Sequence, residues 1–76
     1  MSEMKIPSRV IKAAGGVQVE IDGALIRYPP TFPTEQAALH RLTDLARSYN
    51  QSMTNSMVFE VTTLDGQVLV VDGVQP

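Results

Sequence analysis

His40 and Asp44 are the one pair of side chains in this sequence whose types and spacing could perform acid–base chemistry. They lie four residues apart in a segment with helical periodicity, so their side chains are expected to meet on the helix surface. A nucleophilic mechanism would also need an activated serine or cysteine and a pocket. The chain has no cysteine and a single histidine. We therefore interpret the pair as solvated, and expect no catalytic residue and no enzymatic activity.

The acidic residues are too dispersed along the chain to predict a metal site, which needs several carboxylates or imidazoles close together. Asp22 and Asp65 each precede a glycine and are explained as turn residues. The pair Gly15 and Gly16 leads into a strand pattern and lacks the spacing of nucleotide-binding loops. We expect neither a metal nor a cofactor.

Four basic side chains could contact a phosphate backbone: Lys12, Arg27, Arg41 and Arg47. The first two are predicted on the outer face of a sheet, the other two on a helix. The formal net charge of −2 argues against non-specific binding to nucleic acid or an anionic membrane. With the other aromatic residues assigned to the core, Phe32 alone remains to stack on RNA bases. Nucleic-acid binding through this patch is therefore the alternative interpretation, and no membrane partner is expected.

The segment Pro30-Thr31-Phe32-Pro33 matches the PxxP pattern of peptides that bind as polyproline II helices. Such ligands are exposed, whereas this segment lies between a predicted strand and a predicted helix. We interpret it as a stiff joint, in which Tyr28 and Phe32 face inward and the hydroxyl of Thr34 caps the helix.

The first hairpin is predicted from an alternating strand, Val17 to Ile21, followed by Asp22-Gly23, which suits a type I′ turn. A two-residue loop there pairs Ile21 with Ala24. Four residues farther along each strand, the same register pairs Val17 with Tyr28. The register is self-consistent, because all the apolar partners then share one face.

A strand before this hairpin, over residues 9–13, stays an open question. A three-residue loop at 14–16 would pair Ala13 with Val17 and Ile11 with Val19, with Ile11 facing the core. Residues 1–8 are predicted to be a flexible tail, because Pro7 would interrupt a helix or a central strand. Residues 9–74 are then the single domain.

The second half is predicted to be a helix and a second hairpin. An apolar stripe that includes Ala38, Leu42 and Leu45 predicts a helix that ends near residue 50. A two-residue loop at 65–66 pairs Val61 with Val70 and places Val68 and Val70 inside. The fold class is therefore α+β: an antiparallel sheet of four to five strands in the order β(β)β-α-ββ, with the helix packed on one face.

The predicted pairing leaves an apolar excess on the face that the helix does not cover. Its members are Val10, Leu25, Val58, Leu69 and Val71. Either one register is wrong, or this face contacts another chain. A core this small, without cysteine, also favours self-association, because a second copy adds buried area.

The sequence favours a small, non-enzymatic protein–protein interaction module. It would act as an inhibitor or adaptor that occupies a surface of a larger partner, and would form a homodimer. No apolar run approaches the roughly 20 residues of a membrane span, and no secretory signal is evident. We therefore expect a cytoplasmic protein of bacterial or phage type.

Overall fold

Five strands and one helix follow one another along the chain. The computed structural model describes residues 3–27, 30–52 and 56–73. The elements are β1 (Glu3–Ala13), β2 (Gly16–Ile21), β3 (Ala24–Leu25), α1 (Glu35–Ser52), β4 (Ser56–Thr62) and β5 (Val68–Val71). The predicted α+β class and the order β-β-β-α-β-β are confirmed.

The strands form one sheet in the order β3-β2-β1-β4-β5, so β1 lies at its centre. Three of the neighbouring pairs are antiparallel, but β1 and β4 are parallel. The helix carries the chain from the β3 edge back across the sheet, and β4 enters beside β1 in the same direction. This parallel pair corrects the expectation of a wholly antiparallel sheet.

Strand β1 includes most of the segment predicted to be a tail. It pairs with β4 from Glu3, opposite Ser56, to Arg9, opposite Thr62. The tail prediction is therefore wrong for residues 3–8, and the strand over 9–13 exists. Residues 1, 2 and 74 lie outside the described residues.

Pro7 is tolerated inside β1 because its missing N–H costs no bond to β4. Its carbonyl accepts a hydrogen bond of 2.8 Å from the backbone N–H of Asp22. The backbone N and O of one strand residue point to the same side, so the nitrogen of Pro7 also faces the β2 side. There β2 has already ended at Ile21, which is the setting that strand prolines require.

The β1–β2 loop has two residues, not three. Ala13 pairs with Gly16 and Val10 with Val19. The shift places Val10 in the core and Ile11 on the opposite face. Lys12 therefore lies on the helix side and not on the predicted outer face. Its side chain is exposed, so its charge remains in water.

The β2–β3 hairpin forms as predicted. Ile21 pairs with Ala24, and φ is positive at both turn residues, 51° at Asp22 and 88° at Gly23. Farther along, Val17 pairs with Phe32. Its predicted partner, Tyr28, lies outside the described residues. Val17 and Phe32 exchange two backbone hydrogen bonds, of 2.9 and 2.8 Å.

The proline segment is a joint that is fixed to the edge of β2. The side chain of Phe32 is buried in the core, and its backbone N–H and carbonyl bind Val17. The hydroxyl of Thr34 accepts a hydrogen bond of 3.1 Å from the N–H of Ala37, which confirms the predicted helix cap. The central residue of the PxxP match is therefore unavailable to an external partner in this conformation.

The core lies between α1 and one face of the sheet. Ala38, Leu42 and Ala46 of the helix are fully buried against it, as the apolar stripe predicts. From the sheet, the buried members of the core are Val10, Val17, Val19, Met57, Phe59, Val61 and Val71. The helix runs to Ser52, two residues beyond its predicted end.

Strands β4 and β5 pair one residue away from the predicted register. Val61 lies opposite Leu69 and Phe59 opposite Val71, so the connection spans residues 63–67. A one-residue slip moves every side chain to the other face. Val71 is therefore buried, whereas Val68 and Val70 are exposed, the reverse of the prediction.

The longer connection is held by side chains. The N–H of Gln67 donates to the Thr63 hydroxyl at 3.1 Å, and the N–H of Leu64 donates to the Glu35 carboxylate at 2.8 Å. The Thr63 hydroxyl in turn donates to the carboxylate of Asp65. That hydrogen bond is the main reason why the pKa of Asp65 lies below its ordinary value.

Replacing Thr63 with valine should raise the pKa of Asp65 toward its ordinary value, because the hydrogen bond that the hydroxyl donates favours the ionised carboxylate. This stabilisation is fully present above the ordinary carboxyl pKa of about 3.9 and is lost as the pH falls through the lower pKa of the folded state. An NMR titration of the Asp65 carboxyl in both proteins measures the change. Thr62→Val, at the adjacent exposed position, is the control and should leave the pKa unchanged. An unaltered Asp65 pKa in Thr63→Val would contradict this assignment.

Candidate interaction surface

The sheet face opposite α1 is here called the outer face. Its side chains belong to Lys5, Pro7, Arg9, Ile11, Ala13, Gln18, Glu20, Leu25, Ser56, Val58, Glu60, Thr62, Val68 and Val70. Within the described ranges α1 is the one helix, and it packs on the opposite face. Among the described elements, no helix covers the outer face, so a partner could bind there.

One row of side chains shows how the outer face is divided. Leu25, Glu20, Arg9, Thr62 and Val68 lie opposite one another across all five strands. In the middle, the Nε of Arg9 is 2.8 Å from Oε1 of Glu20, and its Nη2 is 3.4 Å from Oε2. Leu25 and Val68 are four strand spacings apart, about 19 Å. In this row the two apolar side chains lie at opposite edges of the sheet, and the polar side chains lie between them.

The five predicted partner-binding residues are found in different environments. Leu25 lies on the outer face and is 46% exposed. Val10 and Val71, at 5% and 9% exposure, belong to the core, so their prediction as surface residues is wrong. Leu69 is 40% exposed but lies on the helix side, opposite Val61. Val58 lies on the outer face, yet only 4% of it is exposed.

The prediction missed Val68 and Val70, which are each 63% exposed. Both lie on the outer face at the β5 edge. The segment Val68–Val71 is apolar at every position, so alternation could not determine which residues face the core. The length of the connection 63–67, five residues, determines which of them face the core. The glycine turn signal at 65–66 had indicated a shorter loop.

Strand β5 also has an open edge. Among the described residues it pairs with β4 alone. The Gln67 carbonyl accepts a hydrogen bond from the N–H of Thr63 at 2.7 Å, so it faces β4. By alternation the backbone groups of Leu69 and Val71 also face β4, and those of Val68 and Val70 face the open edge.

Within Val68–Val71 the open edge carries no charge, proline or bulge. Natural edge strands are commonly very short, or carry a charge, a proline or a bulge that prevents further pairing. Strand β3, at the other edge, has only two residues. Strand β5 has four, all apolar. In the part of the chain that the structure describes, it thus offers both exposed side chains and backbone groups without a strand partner at one place.

The four basic residues of the alternative interpretation do not form one patch. Lys12 lies on the helix side, opposite Val17. Arg27 borders a shallow depression on the outer face with Leu25, so these two do not share a face as predicted. Arg47 is engaged within the domain, its Nε donating to the Gly73 carbonyl at 3.3 Å. Arg41 is exposed on α1.

The acid–base pair is exposed on the helix. The Nε2 of His40 and Oδ2 of Asp44 are 3.8 Å apart, and the two side chains are 72% and 42% exposed. A carboxylate oxygen of Asp44 is also 3.7 Å from Nη1 of Arg47. No group of three or more histidine, cysteine or acidic residues in the described part of the chain could hold a metal ion.

Comparison with known proteins gives no functional lead. No protein-family model, curated protein or solved structure matches this chain. Among the described elements, no helix combines the length and the apolar character needed to cross a bilayer.

Proposed function

We propose that this protein is a small, non-enzymatic interaction module that binds a larger protein through the β5 side of its outer face. The observation that carries the proposal is the exposure of Val68 and Val70, two apolar side chains on one strand beside an open edge. Full burial of a valine side chain contributes roughly 1.5 to 3 kcal/mol. A partner that covers both valines therefore gains binding energy that the free protein leaves unused.

The module would act as an inhibitor or adaptor, because covering a surface of a partner requires no catalytic group. A bacterial or phage origin and a cytoplasmic location are part of the same proposal. They are supported by the small size and by the absence of cysteine, which suits a reducing compartment.

Replacing Val70 with lysine should weaken partner binding about tenfold or more, because a charge would be buried at the centre of the contact. Tagged wild-type and variant proteins would be used to capture partners from cells that encode this chain, with quantitative mass spectrometry. Gln36→Lys adds the same charge at an exposed position of α1 and should leave the captured partner unchanged. Circular dichroism checks that both variants are folded.

Equal capture by the wild type and by Val70→Lys would overturn the proposed surface. Leu25→Lys, at the opposite edge, tests whether the partner extends across the sheet. Retention of the protein on DNA or RNA that falls steeply with salt would instead support the nucleic-acid alternative. That result would need Lys12, Arg27, Arg41 or Arg47, and substitution of each of them identifies the contacts.

A further inference from the structure

The open edge of β5 places two constraints on whatever binds there. The N–H and carbonyl groups of Val68 and Val70 face outward in one line, and among protein segments an extended backbone is the one that pairs with such a row. The neighbouring side chains are apolar on both faces, with Val68 and Val70 on the outer face and Leu69 on the helix side. The occupant is therefore a β-strand with apolar residues at successive positions.

Strand β5 itself has the required chemistry. Residues 67–71 carry no charge, so two copies paired antiparallel bring no like charges opposite each other. The apolar side chains of each copy then meet apolar side chains of the other on both faces. We propose that β5 pairs with β5 of a second copy about a two-fold axis, with Leu69 opposite Leu69 of the second copy. The inference rests on the proposed function, because the same strand carries both.

The register follows from symmetry and from the direction of the backbone groups. In an antiparallel pair, residues directly opposite each other share a face of the sheet. Consecutive residues of one strand lie on opposite faces, so they cannot be paired across a two-fold axis. The axis must therefore pass between two copies of the same residue. An axis between the two copies of Leu69 places Val68 opposite Val70 of the second copy. The outward N–H and carbonyl groups of both residues then form hydrogen bonds between the copies. An axis between the two copies of Val70 would instead place Asp72 of one copy opposite Val68 of the other. The Asp72 carbonyl already accepts a hydrogen bond of 3.3 Å from Nδ2 of Asn50, which disfavours that register.

The pairing accounts for three exposed apolar residues with one contact. Val68 and Val70 cover their counterparts on the outer face, and the two copies of Leu69 meet on the helix side. Each copy uses its single β5 edge, so the assembly closes at two chains. The product is one continuous sheet of ten strands with both helices on the same side.

Engineered cysteines test the register directly, because the chain has none of its own. In the proposed dimer the two Leu69 positions form a non-hydrogen-bonded pair with Cα atoms about 4.5 Å apart, within the range of a disulfide. The two Val70 positions are diagonal neighbours, about 7 to 8 Å apart, too far for one. Under mild oxidation Leu69→Cys should form a disulfide-linked dimer. Val70→Cys should give a yield of this covalent dimer that is at least tenfold lower. Equal cross-linking of the two variants would overturn the register.

Sedimentation over low micromolar to submillimolar concentrations tests the association itself. A short edge contact buries little area, so we expect the dimer to be weak. The measured mass of the wild type should therefore rise with concentration toward twice the chain mass of 8.3 kDa. Val70→Pro keeps an apolar side chain and removes one N–H that faces the open edge, so it should stay monomeric while folded. A wild type that is monomeric throughout, or a Val70→Pro protein that dimerises equally well, overturns the inference.

These outcomes are separable from those of the proposed function. A monomeric protein that still captures a partner through Val70 leaves the function standing and removes the dimer. A dimer whose capture of partners is unaffected by Val70→Lys leaves the dimer standing and removes the proposed surface.

Discussion

Replacing Gly16 with alanine should lower the free energy of unfolding by about 2 to 5 kcal/mol. An added Cβ would lie 2.0 Å from the carbonyl oxygen of Phe32 and 3.0 Å from its carbonyl carbon. The φ angle of 150° at Gly16 adds strain for a residue with a side chain. The loss is a large part of the total for a small domain, on the order of 5 to 10 kcal/mol.

The clash cannot be relieved by a side-chain rotation, because the obstructing atoms are backbone atoms. The two hydrogen bonds between Val17 and Phe32 hold that backbone against β2. Moving it away would break them and would draw the buried ring of Phe32 out of the core. The strand-to-helix joint and the core are therefore disturbed together.

The neighbouring Gly15 provides a matched control for this prediction. It has a positive φ of 82°, yet no atom lies within 4 Å of an added Cβ. Gly15→Ala should therefore cost only the backbone strain, about 1 to 2 kcal/mol. Urea denaturation of the two variants and the wild type compares them. Similar losses for both variants would show that the contact with Phe32 does not restrict position 16.

Replacing Asn50 with alanine should lower the free energy of unfolding by about 2 to 3 kcal/mol. Its Nδ2 donates to the carbonyl of Met57 at 3.1 Å and to that of Asp72 at 3.3 Å. Its Oδ1 accepts a hydrogen bond of 2.7 Å from the N–H of Met57. At about 1 kcal/mol for each hydrogen bond, the three bonds together account for the expected loss.

This amide joins the end of α1 to the start of β4 and the end of β5. Gln51→Ala is the control, because its side chain is exposed one residue away, and it should stay within about 0.5 kcal/mol of the wild type. Hydrogen exchange of the Met57 amide gives a local readout and should quicken in Asn50→Ala. A stability unchanged by Asn50→Ala would contradict the role of this contact. From the sequence, only the end of the helix near residue 50 was predicted, not this contact.

The sequence was most informative where a single residue determines local backbone geometry. Asp22 and Gly23 adopt the two positive φ angles of the predicted turn, and the register of the β2–β3 hairpin followed from it. Thr34 caps α1 as predicted. The helical stripe of Ala38 and Leu42 was correctly assigned to the core, because a period of 3.6 residues leaves one consistent apolar face.

The two wrong registers have a common cause. In each case the predicted loop length was wrong: three residues against two between β1 and β2, and two residues against five between β4 and β5. At 63–67 the carboxylate of Glu35 binds the N–H of Leu64, which holds the longer connection. Each slip of one residue exchanged the faces of a strand, so Val10 and Val71 were assigned to the surface and Val70 to the core.

The sequence by itself determined the class of fold, the order of the elements and the existence of an apolar excess on the uncovered face. Only the tertiary structure decided which residues form that excess, that β1 pairs in parallel with β4, and that β5 ends the sheet with an open edge. Hairpins and helices are encoded by neighbouring residues. By contrast, the pairing of β1 with β4 joins Lys5 to Val58, across more than fifty residues, and no local pattern specifies such a contact.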